Sequence, residues 1–160
     1  MAVIGTVAAS IATFQADTFK LGGTVENSLM AADQARRLMR PMADEIRAMQ
    51  ISDAGAYPLE SAADNEIVFY SDIDDDSSSE RVRYFIEDGT LKKAVTEPSG
   101  TPAEYVAEET ITSLVENISS TTTFYFYDST YDGLSDPLVS PPDPSEVRLI
   151  KVSFTIESDP

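Results

Sequence analysis

The chain is 160 residues long, contains neither cysteine nor histidine, and carries a formal net charge of −17 at pH 7. This length suits one domain, and the lack of Cys and His excludes disulfides, thiol nucleophiles, Ser-His-Asp catalysis and the usual zinc sites. Apolar residues make up 42% of the sequence and aromatic residues 9%, so the chain can still bury a core. Composition therefore predicts a folded protein that is not an enzyme.

The negative charge is confined to one part of the chain. Residues 1–50 hold five basic and five acidic residues, whereas residues 51–160 hold six basic and 23 acidic residues. An acidic surface repels phosphate groups, so we expect the C-terminal part to bind neither nucleic acid nor anionic membrane surfaces.

The first segment, residues 1–16, has no charged residue and is mostly apolar or small. A bilayer span takes about 20 apolar residues, and a secretory signal peptide has a basic region before its apolar stretch, which this segment lacks. The segment is therefore either an ordinary buried helix or the C-terminal remainder of a membrane helix. Composition alone favours neither.

Residues 24–50 show the clearest helical pattern in the sequence. Apolar side chains recur at spacings of three and four and define one stripe, made of Val25, Leu29, Ala32, Met39, Met42, Ala43, Ile46 and Met49. Gly22 and Gly23 predict a loosened helix upstream of this stripe. Pro41 predicts a kink within it, because proline lacks an N–H and clashes with the preceding turn.

After residue 58 the period of the apolar pattern changes to two. The predicted strands are residues 66–71, 80–87, 90–96, 121–127 and 146–157. Asp88-Gly89 is a strong hairpin-turn signal, whereas residues 109–118 mix helical spacing with β-forming residues and stay ambiguous. This order predicts an α+β fold in which a long N-terminal helix, residues 1–55, packs through residues 25–50 on a small antiparallel sheet formed by residues 56–160. Its helical part, residues 1–50, would be about 75 Å long if continuous and would need a partner or a membrane to cover half of it.

Five segments along the chain carry a resemblance to a known family. They are RRLMRPMADEIR (36–47), EIVFYSDIDDDSSSERVRY (66–84), EDGTLKK (87–93), TFYFYDSTYDG (123–133) and residues 147–156. Together they resemble the prepilin-type family of type IV pilins, minor pilins and type II secretion pseudopilins, above all minor pilins and the J-like pseudopilins. The family's leader peptide, cleavage site and Phe-Thr-Leu-x-Glu stretch do not occur in the sequence. We therefore expect the chain to begin inside the membrane helix, with residues 1–16 as its remainder.

The resemblance implies a pilin-like fold and a structural role in a type IV pilus-like or type II secretion fibre. The helix would pack against other subunits in the fibre core through Val25, Leu29, Met39, Met42 and Ile46. In the full-length precursor it would anchor the protein in the inner membrane. The acidic β domain would lie outside the cytoplasm, in the periplasm or on a cell-surface fibre.

An acidic run follows the first predicted strand and suggests a calcium site, because hard cations bind clustered carboxylates. Asp72, Asp74 and Asp76 fit positions 1, 3 and 5 of an EF-hand loop. Ser77 then stands where that loop needs glycine, and Arg83 stands where it needs glutamate. The three aspartates are thus candidates for an irregular calcium site, against the alternative of a solvated turn.

Other assignments stay open at this point. Asp128, Asp132 and Asp136 form a second calcium candidate in a loop rich in Asp, Ser and Pro. A soluble calcium- or ligand-binding β module, with the N-terminal helix as core, is the alternative to a fibre subunit. A hydrolase would need a cleft with convergent carboxylates, because the abundance of acidic residues makes any single pair uninformative.

Overall fold

A computed structural model describes residues 39–119 and 123–156 of the chain. Five strands form one antiparallel sheet in the order of the sequence: β1 (Leu59–Ala63), β2 (Glu66–Ser71), β3 (Glu80–Glu87), β4 (Thr90–Thr96) and β5 (Thr110–Val115). Two further strands, β6 (Phe124–Tyr127) and β7 (Leu149–Val152), pair antiparallel in a second sheet. Residues 39–47 are helical.

The predicted fold, a long N-terminal helix on a small antiparallel sheet, is wrong. In the two described ranges the helix occupies only residues 39–47, and seven strands make the fold rich in β structure. The main sheet is larger than predicted because β1 and β5 extend it at its two edges. Whether an edge segment forms a strand depends on its fit to the neighbouring strand, and its own sequence predicts the strand only weakly. Residues 1–38, which include the predicted membrane remainder and the packing residues Val25 and Leu29, lie outside the described residues.

The three central strands, β2, β3 and β4, have the bounds that the sequence predicts. The turn between β3 and β4 places Asp88 and Gly89 at φ 50° and 69°, as a two-residue type I′ hairpin requires. The carbonyl of Gly89 accepts a hydrogen bond from the Ile118 N–H at 2.8 Å. This bond ties the turn to the chain that follows β5.

The helical residues lie on the core face of the five-stranded sheet. Met42 and Ile46 are buried in the same cluster as side chains of β2 and β3. Glu45 adds a polar attachment, since its two carboxylate oxygens accept hydrogen bonds from the Tyr84 hydroxyl and the Lys93 ammonium, each at 2.7 Å. The Lys93–Glu45 pair is mostly withdrawn from solvent, with each side chain 18% exposed. Apolar burial and a shielded ion pair therefore fix the helix to the sheet.

The two-stranded sheet completes the core and is joined to the main sheet through the β1–β2 turn. The carbonyl of Asp64 accepts hydrogen bonds from the N–H groups of Thr123 (2.8 Å) and Phe124 (3.0 Å). Phe124 and Phe126 point into the common core and are 0% and 1% exposed. Burying two phenylalanines stabilises the fold by several kcal/mol, about 1.5–3 kcal/mol for each side chain.

The opposite face of the main sheet carries a network of ion pairs. Arg81 donates to both carboxylate oxygens of Glu60, at 2.8 Å each, and to Glu109 at 3.3 Å. Arg83 donates to Glu109 at 2.6 Å and to Glu66 at 3.1 Å. These contacts connect β1, β2, β3 and the residue before β5. The hydrogen bond from Arg81 holds the pKa of Glu60 below its ordinary value, and the hydrogen bond from Arg83 does the same for Glu109.

We expect this network to weaken the fold as the pH falls. A carboxylate with a lowered pKa in the folded chain contributes stability above its unfolded pKa, about 4.3, and loses it as the pH falls through the folded value. Urea unfolding of Arg81→Met should therefore show a cost of about 1 kcal/mol near neutral pH and much less near pH 3. An equal cost at both pH values would show that Arg81 contributes packing and no charge interaction.

In the described ranges, no helix combines the length and the apolar character that crossing a membrane requires.

Candidate metal centre

The connection between β2 and β3 is an acidic loop whose shape is set by its own side chains. Asp72 accepts a hydrogen bond from the Ser77 N–H (3.1 Å), and Asp74 accepts one from the Asp76 N–H (3.2 Å). Asp76 in turn accepts one from the Ser78 N–H at 2.7 Å. Such side-chain to backbone bonds are the reason that Asp and Ser favour turns. They curl the loop so that carboxylates far apart in an extended strand come together.

Three carboxylates converge at the base of this loop. One oxygen each of Asp72, Asp74 and Glu80 lies within 4.8 Å of the others, which is close enough to hold a metal ion between them. Asp72 directly follows β2 and Glu80 is the first residue of β3, so the cluster lies where the two strands leave the sheet. Asp74 is exposed, and the cluster therefore has a side open to solvent.

Glu80 is the unusual member, because its side chain is fully buried at 0% exposure. One of its oxygens accepts a hydrogen bond from the Ile73 N–H at 2.8 Å. The other oxygen, and Oδ1 of Asp72, are buried and have no hydrogen-bond partner in the part of the chain that the structure describes. Burial raises the pKa of Glu80, and the neighbouring charges of Glu97 and Asp74 act in the same direction. A buried carboxylate that faces further negative charge is costly unless a cation joins it.

One end of the loop is fixed to other parts of the fold through Ser79. The side chain of Gln50 donates a hydrogen bond to the Ser79 hydroxyl at 2.8 Å, and the Ser79 N–H donates one to the Asp53 carboxylate at 3.2 Å. The hydroxyl of Tyr105 donates to the Ser79 carbonyl at 2.6 Å. Glu80 therefore follows an anchored residue, whereas Asp74 lies on the free side of the loop.

The donor set is made of oxygen atoms only. Carboxylate oxygens suit hard cations such as Ca²⁺ and Mg²⁺, while zinc and copper sites draw mainly on the thiolate and imidazole ligands that this sequence does not have. The arrangement is also not an EF-hand. Arg83, at the twelfth position counted from Asp72, pairs with Glu66 and Glu109 on the opposite face of the sheet.

Of the three aspartates that the sequence nominated, the structure brings Asp72 and Asp74 together. Asp76 is outside the carboxylate cluster and caps the Ser78 N–H. Sequence reasoning missed Glu80, although a signal was present. The alternation of β3 places Glu80 on the same face as Val82 and Tyr84, which are buried. The pattern therefore indicates a charged residue at a core position.

The second calcium candidate is not assembled. Asp128 accepts hydrogen bonds from the Thr130 N–H (2.8 Å) and hydroxyl (2.7 Å), and Asp132 accepts them from the N–H groups of Leu134 and Ser135, both at 2.9 Å. These hydrogen bonds hold the pKa of both aspartates below the ordinary value. Asp128, Asp132 and Asp136, all of which the structure describes, form no cluster of the kind found at Glu80. Asp128 and Asp132 instead stabilise turns by accepting backbone hydrogen bonds.

The apolar residues nominated for packing against other subunits fall into two groups. Met42 and Ile46 contact the chain's own core and are 1% and 2% exposed, and Met39 is partly buried against the same cluster. Val25 and Leu29 lie outside the described residues. Met39 therefore has the most surface left for a partner among the three whose positions are described.

Comparison with known proteins gives no family. No protein-family model matches the sequence. A search of curated proteins likewise gives no match.

Proposed function

We propose that this chain is a structural, non-enzymatic subunit whose β domain binds a single calcium ion at Asp72, Asp74 and Glu80. One observation carries the metal site: Glu80 is fully buried, has an oxygen without a partner, and belongs to a cluster of three carboxylates. A divalent cation would supply the missing partner. It would also offset the repulsion between three negative groups.

Calcium is favoured over magnesium by the ligands that the loop offers. Magnesium demands a small octahedral site and keeps several waters, so it is usually bound by one or two carboxylates. Calcium accepts six to eight oxygens at variable angles and tolerates irregular loops. Two carboxylates from an irregular loop and one from the start of β3, with one side open for water, fit the second description.

A bound ion would join the ends of two neighbouring strands. Asp72 continues β2 and Glu80 begins β3, so coordination by both would close the open end of the hairpin. Because Ser79 is hydrogen-bonded to Gln50 and Asp53, which follow the helical residues, coordination at Glu80 would also restrain this part of the chain. The role of the ion is therefore to stabilise the fold, as structural cations do when they bind the native state and not the unfolded one.

Calcium titration of the whole chain tests this proposal. At about a hundred times the Kd, calcium should stabilise the fold by about 2.7 kcal/mol and raise the Tm by roughly 5–10 °C. Isothermal titration calorimetry should show one site, with a weaker response to magnesium.

A matched pair of variants separates the site from general charge effects. Asp74→Asn should weaken calcium binding at least about tenfold, because it removes a charged ligand. Asp76→Asn makes the same charge change two residues away, keeps an oxygen for the Ser78 N–H, and should bind calcium like the wild type. The absence of saturable binding, or an equal loss in both variants, would refute the site.

We also propose that the chain serves in a type IV pilus-like or type II secretion fibre. This second proposal is supported by the five resembling segments and by the way Glu45, Met42 and Ile46 fix the helical residues to the sheet. A fibre subunit must keep its N-terminal part and its β domain together under load. A shielded ion pair combined with apolar burial serves that need.

Because the chain contains no cysteine, single-cysteine variants can test the fibre proposal directly. Leu29→Cys, at a predicted packing position, should cross-link between subunits in fibres isolated from the envelope and the surface of the producing cells. Leu134→Cys, on a loop residue that is 91% exposed, serves as the control and should not cross-link. Absence of the chain from the fibres, or equal cross-linking at both positions, would contradict this role without bearing on calcium.

A further inference from the structure

β5 ends the main sheet with an open edge. It pairs with β4 on one side, and in the described residues no backbone hydrogen bond runs from its other side. The first four residues, Thr110–Ser113, are exposed, and Ile111 is 54% exposed. The unpaired N–H and C=O groups of such an edge form a template for another strand.

β5 lacks two of the features that normally protect a sheet edge, charged side chains and proline. The β5 sequence TITSLV has no charged residue and no proline, and its β-branched residues favour pairing. Both edge strands have an irregular register, β1 between Leu59 and Ser61 and β5 opposite Leu91 and Lys92, but only β1 also carries a charged side chain, the ion-paired Glu60. The β1–β2 turn that follows is hydrogen-bonded to Thr123 and Phe124. Among the described residues, β5 is therefore the less protected of the two edges.

The charges around β5 decide what can occupy it. Glu108 before the strand and Glu116 after it are exposed, and the residues from 51 onward carry the whole net charge of −17. Pairing of two copies along β5 would bring two acidic domains together, each with an exposed Glu108 and Glu116 at the ends of the strand, and like charges repel. A second copy is thus disfavoured, whereas a strand flanked by basic residues gains attraction at both ends.

We propose that β5 is the docking site for an extended segment of another protein, with lysine or arginine at its ends and β-forming residues in its centre. The segment adds to the sheet as a sixth strand. Main-chain hydrogen bonds provide the affinity and the exposed Ile111 side chain provides an apolar contact. This inference does not depend on the calcium site.

Three labelled synthetic peptides and the whole chain provide the test. The first alternates Thr and Val and has two lysines at each end; the second replaces the lysines with glutamates; the third keeps the lysines and has a central proline. By fluorescence anisotropy, the first should bind at least about tenfold more tightly than either of the others. Hydrogen exchange of residues 110–115 should slow only in its presence.

Two variants with the same charge change distinguish edge pairing from general attraction to an acidic protein. Ile111→Lys places a charge on the edge and should weaken binding at least about tenfold. Leu134→Lys, at a residue that is 91% exposed, should leave binding within about twofold, and circular dichroism should show both variants folded. Equal binding of the proline peptide, or equal losses in the two variants, would overturn the proposal. A dimer of the chain that Ile111→Lys dissociates would also overturn it, in favour of a second copy.

Discussion

Glu80→Gln is expected to abolish the stabilisation by calcium while leaving the calcium-free domain more stable than the wild type. The substitution removes a buried negative charge from the cluster, and the new amide group can donate to the neighbouring carboxylates of Asp72 or Asp74. We expect a gain of about 1 kcal/mol without calcium. Thermal unfolding with a chelator and with saturating calcium measures both effects.

The two opposite effects make this experiment specific. A purely structural glutamate would leave the response to calcium unchanged when replaced, because glutamine keeps an oxygen for the Ile73 N–H. A metal ligand gives a stable protein that no longer responds to calcium. If Glu80→Gln kept the full rise in Tm on calcium addition, the buried carboxylate would not be a ligand.

Phe124→Ala is expected to give the largest loss of stability, about 3–5 kcal/mol. The ring is 0% exposed and lies in the core cluster shared by the two sheets. Its backbone N–H also bonds to Asp64 in the β1–β2 turn, so the cavity forms at the junction between the sheets. Urea unfolding followed by circular dichroism gives the change in the free energy of unfolding.

The matched control removes a side chain of similar chemistry from the surface. Leu134 is 91% exposed, and Leu134→Ala should change the free energy of unfolding by less than about 0.5 kcal/mol. If Phe124→Ala cost no more than this, the two sheets would not share a core.

The central part of the fold could be predicted because its local signals agree with its environment. β2 is a short apolar run that is buried from Ile67 to Ser71, β3 and β4 largely alternate between buried and outer-facing residues, and Asp88-Gly89 supplies the turn that joins the last two. Patterning and turn chemistry point to the same structure there. The observed strands accordingly have the predicted bounds.

The edges of the sheet could not be predicted in this way. β1 has the sequence LESAA, which lacks β-branched residues, and it is held in place by pairing with β2. β5 fits a helical spacing as well as a strand, and its pairing with β4 decides between them. β7 is shorter than the predicted residues 146–157, because β6 offers only four pairing partners.

The sequence by itself determined that the β2–β3 loop is acidic, that the chain has neither thiolate nor imidazole to offer a metal, and that the net negative charge lies after residue 50. These properties follow from composition and need no fold. Only the tertiary structure decided which carboxylates meet. Asp76 accepts a hydrogen bond from the Ser78 N–H and lies outside the cluster. The pairing of β3 in the sheet buries Glu80 beside Asp72 and Asp74. The reason is that the face on which a residue lies, and its burial, depend on its neighbours in space.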